Sequence, residues 1–204
     1  MNDPTVFVVD DDAAIRDALS LLISLKGLRS AVFATAEDFL NTYCADWRGC
    51  LLTDLQMPGM QGLELQRTLT ERHIQLPVVV LTAHGDVATT REALKCGALD
   101  FLEKPVDDDV LVDVLRNAIR IDEQRHRAAF EHIQALERFA RLTPREQAVL
   151  QLLVDGLQHR EIAERLRISP RTVEVYKSRM MEKLQLRTLA DVVRFGAGVP
   201  LRTN

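Results

Sequence analysis

The sequence has little sulfur to cross-link and no long apolar run. Its three cysteines, Cys44, Cys50 and Cys96, are scattered, odd in number and form no CxxC pair, which argues against a disulfide framework or a zinc site. They are expected to be reduced, small core residues. No apolar stretch approaches the roughly 18 residues of a membrane span. The opening "MNDPTVFVVDDD" has no basic segment followed by an apolar core, so no secretory signal is expected and the protein is read as cytoplasmic. Glycine and proline are absent from Val110 to Ala140, which excludes a turn-rich linker there and leaves a helix.

What is present is enough apolar material, 47% of 204 residues, for one large domain or two small ones. The net charge of −4 hides an asymmetry. Residues 1–121 hold 11 basic and 19 acidic side chains, whereas residues 141–204 hold 12 basic and 7 acidic. An acidic front and a basic rear suggest two domains with different partners, the rear suited to nucleic acid.

The front half alternates apolar, β-branched runs with helical patterns. Strands are expected at Thr5–Val9, Arg29–Phe33, Cys50–Thr53, Val78–Thr82 and Leu99–Leu102. Helices are expected at Ala13–Leu25, Ala36–Tyr43, Leu63–Glu71, Val87–Lys95 and Asp108–Ile121. Such alternation implies a parallel sheet covered on both faces, with a site beyond the carboxyl ends of its strands. Asp10 and Asp11 follow the first strand, Asp54 the third and Lys104 the fifth, and Thr82 closes the fourth. All five fall on one rim. Three carboxylates there would repel one another unless a cation joined them, and hard oxygen ligands in a partly open site favour Mg²⁺. A lysine to hold an arriving anion and a threonine to donate to it suit phosphoryl transfer, with Asp54 as the nucleophile. The turn "MPGMQG" after Asp54 lets the chain leave the rim without covering the acid.

The motifs "VVDDD" (Val8–Asp12), "TDLQMPGMQGLEL" (Thr53–Leu65), "LTAHGD" (Leu81–Asp86) and "DFLEKP" (Asp100–Pro105) resemble those of response-regulator receiver domains over residues 1–121. The resemblance implies a five-stranded sheet of flavodoxin-like order 2-1-3-4-5 and phosphorylation of Asp54 by a sensor histidine kinase. It implies Mg²⁺ held by Asp11, Asp54 and the backbone carbonyl of Gln56, with Asp10 helping directly or through water. Thr82 and Lys104 would grip the phosphoryl oxygens. Phe101 matches the aromatic switch position, although a plain core phenylalanine reads the same in sequence. The Lys104–Pro105 peptide would be cis by the same resemblance.

Residues 122–140 read as a helical linker. After the charged stretch "IDEQRHR", apolar spacing resumes with Ala129, Phe130, Ile133, Leu136 and Ala140. Such a helix forms a coiled coil, packs on its neighbours, or stays solvated. The rear segment, 141–204, reads as all-helical. Thr143, Pro144 and Glu146 form a capping-box start, Gly156 a stop, and Ser169-Pro170 a second capped start. Two short helices across a tight turn suggest helix-turn-helix, the second entering a major groove. "LTPREQAVLQLLVDGLQHREIAERLRISPRTVEVYKSRMMEKL" is similar to the four-helix LuxR-type DNA-binding domain. That similarity implies base-reading positions at Glu174, Val175 and Ser178. Arg171, Thr172, Lys177 and Arg179 suit phosphate contacts. Glu174 stands where a basic residue is common in the family, and a glutamate could accept from cytosine N4. The last helix, near Leu189–Phe195, is the family's usual dimer contact.

Receiver, linker and LuxR-type domain in this order resemble the FixJ-type transcription regulators. The implied function is phosphorylation-controlled transcription. The implied partners are a sensor kinase, promoter DNA, a second copy of the chain and RNA polymerase; no membrane partner and no classical enzyme activity are expected beyond the receiver's own phosphoryl chemistry. Two other readings stand beside it. One is a phosphotransfer module whose rear half binds protein. The other is an aspartyl-phosphate hydrolase, which in the haloacid-dehalogenase type carries a second aspartate two residues after the nucleophile, where this chain has Gln56.

Overall fold

Five short aliphatic runs pair into one parallel sheet: β1 (Thr5–Val9), β2 (Arg29–Phe33), β3 (Gly49–Thr53), β4 (Val78–Thr82) and β5 (Asp100–Glu103). Their order is β2-β1-β3-β4-β5. The structure, a computed structural model, describes residues 3–83, 91, 93 and 95–198. The expected helix Val87–Lys95 lies largely outside the described residues. The chain divides into two units, residues 1–126 and 127–204.

Alternation along the strands decides which helix each residue meets. Phe7, Val9, Leu51, Val78 and Val80 share one apolar cluster with Phe39, Leu65 and Leu69. These last three come from α2 (Ala36–Thr42) and α3 (Gly62–Glu71). Val6, Val8, Cys50, Leu52, Val79 and Leu81 face the opposite side. There they meet Leu19 and Ile23 of α1 (Ala13–Leu25) and Leu111 and Leu115 of α4 (Asp108–Ala140). Because both faces are covered, β3 and β4 are buried at every position. Each fully buried leucine, isoleucine or phenylalanine contributes roughly 1.5–3 kcal/mol.

Two expectations need correction. Only Cys50 is a core cysteine, its thiol pushed up to about 12 by burial and then by nearby Asp122; Cys44 is exposed and Cys96 half-buried, and all three are free. The fifth strand runs one residue later than its apolar spacing suggested. The helix expected to continue past Ile121 does so, running unbroken from Asp108 to Ala140. Within the charged stretch Asp122 is buried: its Oδ2 accepts the Gly49 N–H at 2.9 Å, and its Oδ1 lies 3.1 Å from His126 Nδ1. A charge that reads as solvated in sequence is spent on an inward contact. At the other end of the same helix Asp109 pairs with Lys26 of α1.

In the second unit α5 (Pro144–Val154), α6 (His159–Leu166), α7 (Pro170–Leu184) and α8 (Leu189–Gly198) enclose one core. Val149, Leu150, Ile162, Val173, Met180, Leu184 and Val192 form its buried centre. The capping box is present: Glu146 N–H donates to Thr143 Oγ1 at 3.3 Å, and Thr143 N–H donates to Glu146 Oε2 at 2.8 Å. Lys183 of α7 donates to the same buried carboxylate at 2.6 Å. Burial alone would push the Glu146 carboxyl up, but Lys183 and the two Thr143 contacts outweigh it and hold it below its ordinary value.

A native value below the unfolded one means stability present above the ordinary glutamate range and lost as pH falls through the native value. Glu146→Ala should therefore cost about 1–3 kcal/mol at pH 7. In urea unfolding repeated at pH 7, 4 and 3, the gap between wild type and variant should narrow on acidification. A gap independent of pH would show that the carboxylate charge contributes nothing.

Candidate functional site

A parallel sheet directs all its carboxyl ends to one rim, and the strand order switches between β1 and β3. Val9 is in register with Thr53, so Asp10 and Asp54 leave the sheet side by side. Thr82 is in register with Glu103, which brings Lys104 to the same edge. The Lys104 N–H donates to the Thr82 carbonyl at 2.8 Å, and the Lys104–Pro105 peptide is cis. From there the lysine side chain reaches back over the rim. Its Nζ donates to Asp10 Oδ2 at 2.9 Å and to Asp54 Oδ2 at 2.8 Å.

This ammonium answers the repulsion that two adjacent carboxylates would otherwise suffer. Asp10 is 3% exposed, and the Asp54 and Lys104 side chains are 12% and 18% exposed. Burial pushes the Lys104 ammonium down, but hydrogen bonds and charge from Asp54 and Asp10 outweigh it and raise the group above its ordinary value. Asp54 keeps its second oxygen on the Gln56 N–H at 3.2 Å. Asp10 keeps its own on the Asp12 N–H at 2.9 Å. Asp12, third in the acidic run, caps α1 by accepting the Ala14 N–H at 2.8 Å. Asp11 is exposed at the edge of the site.

The turn after Asp54 is shaped by two glycines. Gly59 has φ +78°, and a Cβ there would lie 2.9 Å from Glu37 Oε1, the atom that accepts the Met60 N–H at 3.0 Å. A Cβ on Gly62 would lie 2.3 Å from the Asp54 carbonyl oxygen. The start of α3 can therefore pack directly beneath the acid only with no side chain at that position. Phe101 of β5 is half-buried against the cluster beneath α2 and α3. Thr82 is buried at the end of β4.

Among the described residues no three carboxylate, histidine or cysteine groups converge as a closed metal cage. The donor chemistry nonetheless fits a hard cation. Asp10 and Asp54 already share one positive charge, that of Lys104, and paired carboxylate oxygens are the donor type such a cation takes.

In the second unit, Val173, Met180 and Leu184 anchor one side of α7 in the core. Arg171, Glu174, Val175, Ser178 and Arg179 are exposed on its other side. Thr172 and Lys177 are half-buried. The Thr172 hydroxyl lies 2.7 Å from Ser169 Oγ, within the cap of its own helix. The Glu174 carboxylate is engaged too, 3.3 Å from His159 Nδ1 and 3.5 Å from Lys177 Nζ. Reading a base edge with Glu174 would require releasing those contacts. His159 and Arg160, at the start of α6, line a cavity of about 490 Å³ with Lys177. They were not singled out in sequence, because lone basic residues at a helix start carry no distinguishing spacing. Arg16 was also missed; its Nη1 donates to the Asp10 carbonyl at 2.7 Å.

Residues 6–116 match the family described as response regulator receiver domain. Residues 140–195 match the luxR family of bacterial regulatory proteins. The chain is 39% identical over 189 residues to the transcriptional regulatory protein FixJ of Bradyrhizobium diazoefficiens, covering 93% of this chain and 92% of that one. It is 41% identical over 196 residues to FixJ of Azorhizobium caulinodans, covering 95% and 93%. The solved structure of the response regulator StyR matches with a TM-score of 0.85 at 39% identity, covering 97% of this chain and all of that one.

The shared ammonium makes a measurable prediction. Lys104→Met should lower stability by about 1–3 kcal/mol, because two carboxylates lose their cation. Adding Asp10→Asn to that variant should recover much of the loss, and a double-mutant cycle by urea unfolding measures the coupling. Because the native lysine is raised, the coupling is full at neutral pH and fades as pH rises past the ordinary lysine range. Additive single effects would show that the contact contributes nothing.

Proposed function

The chain belongs to the FixJ-type response regulators, transcription regulators of two-component systems, and on that premise we propose that Asp54 is its phosphoacceptor and α7 its promoter-reading helix. The observation that carries the first assignment is the Lys104 ammonium bridging Asp10 and Asp54 at 2.9 and 2.8 Å.

An Asp54 carboxylate oxygen attacks the phosphorus of a phosphohistidine on the sensor kinase. A phosphorus–oxygen bond forms, the phosphorus–nitrogen bond breaks, and the leaving imidazole takes up a proton. Lys104 follows the transferred group, giving up its hydrogen bond to Asp54 for one to a phosphoryl oxygen. Thr82 donates its hydroxyl to another. Asp10, Asp11, Asp54 and the Gln56 carbonyl would hold Mg²⁺, which supplies positive charge to the gathering oxygens. Hydrolysis by water at the same phosphorus returns the carboxylate and ends the signal. As Thr82 turns toward the phosphate, Phe101 moves further into the core it already touches, biasing a pre-existing equilibrium. The favoured state is a homodimer that reads two half-sites of promoter DNA and engages RNA polymerase. The exposed pair Leu189 and Val193 on α8 supports a dimer contact there.

Asp54→Asn keeps the volume and removes the nucleophile. With acetyl phosphate as donor, wild type should gain mass as the phosphoprotein, dimerise, and bind promoter DNA about 5- to 150-fold more tightly, the span of a typical coupling of 1–3 kcal/mol. The variant should keep basal DNA binding and show none of these responses in mass spectrometry, sedimentation and gel shift. A variant that responded like wild type would remove Asp54 from the mechanism.

On DNA, Arg179→Ala should weaken binding to every sequence and make the salt dependence shallower by about one unit. Glu174→Ala should instead shift the preferred bases in a selection from random sites. An unaltered consensus would assign Glu174 to its contacts with His159 and Lys177 alone.

A further inference from the structure

Within the second unit, α4 is apolar on two opposite faces. A helix turns about 100° per residue, so Gln134, Ala135, Arg138 and Phe139 share one face. That face is packed: Phe139 joins the core of α5 to α8, and Arg138 Nη1 donates to the Leu184 carbonyl at 3.3 Å. Diametrically opposite stand Ala129, Phe130, Ile133, Leu136 and Ala140. All five are exposed, Phe130 at 62%, Ile133 at 54% and Leu136 at 36%. A helix that packs once on its own domain needs one apolar stripe, and the other side is ordinarily polar. A continuous exposed stripe marks an interaction surface.

Its spacing says what covers it. Positions 129, 133, 136 and 140 are separated by four, three and four residues, the seam of a coiled coil. The flanks fix the sense of pairing. In a parallel pair in register, His132 beside the seam faces Glu137 of the second copy, a ring N–H opposite a carboxylate, and symmetry makes that contact twice. An antiparallel pair would instead oppose Phe130 to Glu137 and His132 to Phe139, with no hydrogen-bonding complement. We propose that this face of α4 is a parallel, self-pairing seam between two copies of the chain. The two-fold axis then runs along the paired helices and presents both α7 helices at the same end, as two half-sites require. The seam spans only two heptads, too short to hold two copies alone. It closes when another contact brings the copies together, and for that trigger alone it rests on the function proposed above.

The test uses the full chain with Cys44→Ser and Cys96→Ser, leaving buried Cys50. Ile133→Cys should form a disulfide-linked dimer under copper–phenanthroline, seen on a non-reducing gel, while Glu131→Cys on the other side of the helix should not. Ala129→Cys and Ala140→Cys should each link to themselves. Because Ile133 is exposed, Ile133→Glu should leave the fold intact and weaken dimerisation in sedimentation by about tenfold or more. All arms are run with and without acetyl phosphate, so a seam that links regardless of phosphate supports this inference even where the Asp54 switch fails. No linkage at position 133 in either condition overturns the seam, as does equal linkage at 131. Linkage only between positions 129 and 140 overturns the parallel sense. If Ile133→Glu leaves the dimer unchanged but impairs open-complex formation by RNA polymerase, the face serves the polymerase and self-pairing is overturned.

Discussion

One ammonium group organises the acidic rim. Lys104 Nζ sits between two carboxylates on adjacent strands, and each of the three side chains is largely shielded from water. Without it, Asp10 and Asp54 would face one another as uncompensated like charges. The parallel sheet makes the meeting possible, since only parallel strands bring the ends of β1, β3 and β5 to one edge. The same contact leaves the site ready for more positive charge. One cation serves two acids, and Asp11, the next residue after Asp10, is exposed.

Most of this was legible in the chain because it is written in local patterns. Continuous aliphatic runs read as buried strands, and two helix starts in the rear unit carried their own caps, at Thr143 and Ser169. The five rim residues could be ordered from their positions after successive strands. What could not be read were pairings at long range. Nothing near Asp122 in sequence announces that it holds Gly49, 73 residues earlier, so a buried charge read as one more member of a charged stretch interrupting the apolar stripe. Glu174 and Lys177 read as free groups on a helix face, whereas the glutamate is occupied by His159 from another helix. The edge strand β5 slipped by one residue because its mixed burial weakens the apolar signal.

The two units solve the same electrostatic problem in different ways. The rim of the front unit gathers two carboxylates around a lysine at the carboxyl ends of three strands. In the rear unit a single buried glutamate takes both the cap of α5 and Lys183 of α7, tying the first helix to the one that presents the basic face. There the charge pair orients an element.

Asp122 carries a consequence for how α4 can move. A carboxylate 1% exposed cannot lose its partner without a large desolvation cost. Turning the helix by one residue about its axis would swing Asp122 roughly 100° away from the Gly49 N–H and into aliphatic surroundings. The pair Lys26–Asp109 resists the same turn from the first helical turn of α4. Over its length in the front unit, then, α4 behaves as a keyed shaft. The helix therefore keeps one facing toward the sheet, held at both contacts.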